Sequence, residues 1–120
     1  MIIAFSSSGM DLSADVDPRF GRAAYFIFAN PDTMEYECIE NKQNLNLPQG
    51  AGIQSAKTIV EKKADILITG NCGPKAYNVL KAAGVKIIVG AKGKISDVIQ
   101  DYKNNAFNEA QGPNVQGHWM

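Results

Sequence analysis

One histidine, His118, and two cysteines, Cys38 and Cys72, leave this chain short of the side chains on which most hydrolytic and metal-ligating sites are built. A nucleophile–base–acid triad would have a single histidine to draw on, placed in a polar carboxyl-terminal stretch. Neither cysteine has a neighbour at the short spacing of a zinc or dithiol motif. Charge is missing as a net quantity: 12 basic residues are scattered among 12 acidic ones, which argues against a broad nucleic-acid or membrane-surface footprint. No apolar run reaches the length of a membrane span, and the initial Met-Ile-Ile-Ala-Phe run is too short for the apolar stretch of a signal peptide and lacks a basic flank. The expected compartment is therefore the cytoplasm, with both cysteines as free thiols rather than a Cys38–Cys72 disulfide. Phosphate-loop, dinucleotide-binding and nucleophile-elbow patterns do not occur.

What is present is a single domain: 120 residues, 45% of them hydrophobic, suffice for one core and are too few for two. The stretch from Ile66 to Gly84 organises the rest. Ile66-Leu67-Ile68 ends in Thr69-Gly70 and reads as a strand buried on both faces. Pro74 suits the first turn of a helix, Ala76, Val79, Leu80 and Ala83 share one helical face, and Gly84 ends it. Between them, Gly70-Asn71-Cys72-Gly73 sets backbone amides and a thiol at the carboxyl end of a strand and the start of a helix, a usual place for anions in open α/β sheets.

Upstream, Ile2 to Ser6 is a strand leaving through Ser6-Ser7-Ser8-Gly9, and Met10 to Arg22 is a long connection of the kind that often carries function. Ala24 to Ala29 and Met34 to Glu40 read as a hairpin with a half-exposed outer strand. A loop over 41–51 precedes a helix whose Ile53, Ala56, Ile59 and Val60 face inward. Val85 to Val89 is the fifth strand, and Ser96 is the expected N-cap of a last helix with Ile95, Val98, Ile99 and Tyr102 buried. The order β-β-β-α-β-α-β-α predicts a mixed five-stranded sheet with helices on both faces, a ribonuclease H-like three-layer α/β fold over residues 1–107, followed by a polar, loosely held tail over 108–120. The first strand, Ile-Ile-Ala-Phe-Ser, has no carboxylate to clamp metal ions, so nuclease chemistry is not expected from that fold.

Asp17-Pro18-Arg19-Phe20-Gly21-Arg22-Ala23-Ala24-Tyr25-Phe26, Glu40-Asn41, Gly50-Ala51-Gly52-Ile53, Gly73-Pro74-Lys75-Ala76-Tyr77, Val79-Leu80, Ala83-Gly84-Val85-Lys86 and Gly93 occur in an order that resembles the dinitrogenase iron–molybdenum cofactor-biosynthesis family, the NifX-like proteins and the carboxyl-terminal domain of NifB-like proteins. The resemblance implies a non-catalytic protein that binds, carries or assembles a metal–sulfur cluster. The cluster would be an iron–molybdenum cofactor precursor or, as in the small single-domain orange-protein branch, a molybdenum–copper sulfide. Cluster donor and acceptor proteins would be the partners.

On the residues themselves, Cys72 reads either as a thiolate favoured by the helix dipole or as a small apolar residue at a tight turn. Arg19 and Arg22 would approach the Gly70–Gly73 loop if the long connection folds back; otherwise they tie to Asp15 or Asp17 and shape that loop. Gly21 serves the same loop or simply a turn. Ser7, with Ser6, Ser8 and Gly9, could donate hydrogen bonds there or form an ordinary strand exit. His118 could fold over as a metal ligand or stay solvated. The expected binding set is Ser7, Arg19, Gly21, Arg22, Gly70, Asn71, Cys72 and Gly73, with Cys72 and His118 as metal ligands. A redox enzyme using Cys72 and a protein-interaction module without a small ligand are the alternatives.

Overall fold

The computed structural model describes residues 1–41 and 51–113. Five strands, β1 (Ile3–Ser7), β2 (Tyr25–Ala29), β3 (Tyr36–Glu40), β4 (Ile66–Ile68) and β5 (Lys86–Ile88), alternate late in the chain with α1 (Ala51–Glu61), α2 (Pro74–Ala82) and α3 (Ile95–Lys103). They form one mixed sheet in the order β3-β2-β1-β4-β5, the expected ribonuclease H-like arrangement. β1 pairs antiparallel with β2 and parallel with β4, so the strand buried at all five residues is the central one.

Strand alternation divides the apolar residues between two cores. Ala4, Phe26, Phe28, Leu67 and Ile87 face one side, where Ala56 and Ile59 of α1 and Ala76 and Leu80 of α2 close over them. Ile3, Phe5, Ile27, Ile66, Ile68 and Ile88 face the other, against Ile95, Val98 and Ile99 of α3. Each of the larger side chains among them, Val, Leu, Ile or Phe, contributes about 1.5–3 kcal/mol when withdrawn from water, before chain entropy is set against it. The outer strand β3 is half exposed, as expected, and an ion pair from Lys62 to Glu37 joins it to the chain beyond α1.

Two local expectations change. Ser96 is not the cap of the last helix; Lys94 occupies that position and provides no side-chain cap. The amides of Ile95 and Ser96 donate instead to the carbonyls of Ala14 and Leu12, both at 2.9 Å, so the long first loop caps α3 with its backbone. The start of the polar tail is tied down rather than loose. Ala110 N–H donates to Ile87 O at 2.7 Å along the edge of β5, Tyr77 Oη donates to Ala110 O at 3.3 Å, and Lys81 reaches Glu109 at 3.2 Å.

Candidate functional site

The long connection after β1 does fold back over the carboxyl ends of the central strands. Asp17 N–H donates to Ser6 O at 2.8 Å, and Val16 N–H donates to Gly93 O at 2.9 Å. Arg19 then runs beside Asn71 in a parallel bridge, with Phe20 N–H donating to Asn71 O at 3.3 Å. Asn71 Nδ2 donates to Pro18 O at 2.8 Å, and the Asp17 carboxylate accepts from Arg19 N–H at 2.9 Å. Phe20 is fully buried in the α1/α2 core with its ring 5.4 Å from that of Phe26. Four successive residues, Asp17 to Phe20, are thus fixed by backbone or side-chain contacts.

Two glycines allow this closeness. A Cβ on Gly70 would lie 2.7 Å from Pro18 Cα and 2.9 Å from Pro18 O, and one on Gly21 would lie 2.8 Å from Gly52 N. Both glycines face other backbone rather than an open pocket, which sequence alone did not separate from ligand approach. Gly21 O also accepts from Asn41 Nδ2 and Ser55 Oγ, each at 3.3 Å, so that glycine joins the first loop to the start of α1.

The predicted site residues separate accordingly. Arg19 is exposed, and its guanidinium has no hydrogen-bond or ion-pair partner among the described residues, so it does not tie to Asp15 or Asp17. Arg22 is half-buried. Gly73 sits at the N-cap of α2 with no side-chain cap, leaving the leading amides of that helix without the usual side-chain acceptor. Asn71 holds the loop through Pro18. Ser7 is fully buried, its hydroxyl donating to Gly9 O at 2.7 Å and accepting from Gly9 N–H at 3.2 Å, and Ser8 Oγ donates to Asp15 O. Those hydroxyls are engaged within the strand exit. His118 lies outside the described residues.

Cys72 departs furthest from expectation. Its side chain is fully buried in the α1/α2 core, and its Sγ lies 3.7 Å from Gly73 O, to which a thiol donates weakly. Burial pushes the thiol from 9.0 up to about 12, so desolvation outweighs the helix dipole and the sulfur stays protonated. A sealed, neutral thiol is neither a soft-metal ligand nor a nucleophile. Cys38 is half-buried on the opposite face of the sheet, its thiol also raised, first by burial and then by nearby Asp11; neither cysteine is in a disulfide. Among the described residues no group of three or more His, Cys, Asp or Glu could hold a metal ion.

A family model for "dinitrogenase iron-molybdenum cofactor" matches residues 1–105. The chain belongs to the dinitrogenase iron-molybdenum cofactor family. The apo form of the orange protein from Desulfovibrio gigas is similar at 37% identity and a TM-score of 0.92, covering 95% of this chain and 96% of that one. A Thermotoga protein of the DUF35 family, described as a candidate NifB, is similar at 32% identity and a TM-score of 0.81, covering 97% and 98%. An uncharacterized protein of Methanocaldococcus jannaschii shares 35% identity over 75 residues. That match takes in 60% of this chain and 63% of the relative, so the chain spans under two thirds of the length of the curated relative. No helix among the described residues is long and apolar enough to cross a membrane.

Proposed function

We propose that this protein carries an anionic metal–sulfur cluster as cargo, without catalysing a reaction on it. The cargo would be an iron–molybdenum cofactor precursor or a molybdenum–copper sulfide, received from and passed to other proteins. The carrying observation is Arg19: an exposed guanidinium without a partner among the described residues, on a backbone fixed from Asp17 to Phe20, next to the start of α2, which has no side-chain cap. A sulfide-rich anion takes up N–H donors of this kind, and guanidinium geometry presents several at once. Because Cys72 is sealed and no cluster of metal-ligating side chains occurs among the described residues, the donor set fits contact with the cargo's outer sulfurs rather than bonds to its metals. Arg22 and the Gly73 amide would complete the cationic side of the site. The redox reading through Cys72 loses its support, since a buried thiol raised to about 12 does not attack at neutral pH.

The test is anaerobic incubation of the protein with tetrathiomolybdate, with and without copper(I), followed by desalting. A retained visible chromophore with stoichiometric molybdenum is expected, weakened by salt as Arg19 is screened. Full loss of colour on desalting in both arms would reject the proposal, and a copurifying protein with no colour would favour the interaction-module reading.

A further inference from the structure

Two hydroxyls lie deep in the molecule, each hydrogen-bonded. Ser6, near the end of β1, and Thr69, just beyond β4, are both fully buried, with Oγ and Oγ1 2.7 Å apart. The direction of this contact follows from the next one. Ser6 Oγ lies 2.8 Å from Asp17 O, and a carbonyl can only accept, so the single Ser6 hydroxyl proton is committed there. Thr69 must therefore donate to Ser6, giving a directed chain Thr69–Ser6–Asp17. Its far end is itself anchored: Thr69 N–H donates to Ile88 O at 3.0 Å, and Thr69 O accepts from Ala91 N–H at 3.2 Å. Its near end completes a clamp, because Ser6 O also accepts from Asp17 N–H at 2.8 Å. Both backbone groups of Asp17 are thus held by one residue of the central strand, two positions before Arg19.

We infer that Thr69 and Ser6 are positioning residues for Arg19: their hydroxyl chain fixes the Asp17–Phe20 segment against the ends of β1 and β4, and so sets where the arginine meets its anionic cargo. Neither hydroxyl touches the cargo; each acts through the Asp17 carbonyl. The assignment rests on the carrier reading for its binding consequence, but not for its structural one. Hydrogen bonds of a buried hydroxyl are costly to leave unmade, and in Thr69→Val the Ser6 oxygen loses its donor while the side-chain volume is nearly kept.

The experiment compares the full chain with Thr69→Val, Thr69→Ser and Ile99→Val, the last a destabilising control on the α3 face. Without any probe, amide exchange at Arg19 and Phe20 should accelerate in Thr69→Val, return to the parent rate in Thr69→Ser, and stay unchanged in Ile99→Val. With tetrathiomolybdate as the probe, Thr69→Val should bind about five-fold more weakly with an altered induced circular dichroism band, and Thr69→Ser should restore both. Parent-like exchange at Arg19 and Phe20 in Thr69→Val overturns the inference, as does an equal change in Ile99→Val. Failure of Thr69→Val to fold also overturns it, because the hydroxyl would then serve the whole fold rather than one loop. If the parent itself does not hold tetrathiomolybdate, the carrier reading falls, and the exchange rates alone still decide the positioning role.

Discussion

Replacing Cys72 by alanine separates a sealed core sulfur from a cluster ligand. The side chain is fully buried among Leu67, Ala76, Leu80 and their neighbours, so the change removes one sulfur from a packed core and leaves a small cavity. The expected cost is about 1–2 kcal/mol, at the low end for large-to-small core changes because only one heavy atom is lost. A urea titration should show a lower midpoint at an unchanged slope. Retention of tetrathiomolybdate should stay within about two-fold of the parent at a temperature where both are folded. The thiol's own behaviour gives a second reading. In the unfolded chain Cys72 loses its proton near 9.0, whereas the folded chain keeps it up to about 12. The unfolded state therefore binds fewer protons above pH 9, and stability must fall as pH rises through that window, by about 1.4 kcal/mol per pH unit from this group. Cys72→Ala should flatten that alkaline slope. Loss of the chromophore in Cys72→Ala, or native alkylation of Cys72 as fast as that of Cys38, would refute the reasoning.

Arg19→Gln should weaken tetrathiomolybdate retention about ten-fold, as expected for removal of a charge-assisted contact, while the urea midpoint moves by less than about 0.5 kcal/mol equivalent; a parent-like titration would remove Arg19 from the site. Gly70→Ala forces a methyl against the backbone of Pro18 at 2.7 Å and should cost about 1–3 kcal/mol in denaturant melts, whereas an unchanged melt would show that the loop can lift. Asn71→Asp replaces the Nδ2 donor to Pro18 O with an oxygen, and about 1–3 kcal/mol of stability should go with it above the carboxylate pKa, recovered in part on acidification. Glu37→Gln breaks only an exposed ion pair to Lys62, and a thermal melt should register less than about 1 kcal/mol.

Residue pattern by itself determined the architecture. The aromatic and β-branched run at Tyr25–Ala29, the unbroken apolar run at Ile66–Ile68 and the helical spacing of Ala76 and Leu80 are local signals, and right-handed crossovers leave few ways to assemble them. The same pattern pointed to the end of the sheet where the site is proposed, because a long polar loop and a Gly-Asn-Cys-Gly junction both leave from strand carboxyl ends. It could not say which of those residues would be free. Cys72, Ser7 and Asn71 looked as available as Arg19, since in one dimension a thiol, a hydroxyl and an amide carry no mark of what surrounds them. Only the tertiary structure decided that. Docking the Asp17–Phe20 segment onto Ser6 and Asn71 consumed the hydrogen-bonding groups, core packing under α1 and α2 closed over the sulfur, and the arginine alone of these was left facing water among the described residues. Burial and hydrogen-bond pairing are properties of contacts between distant stretches of chain, and such contacts exist only once the sheet has formed.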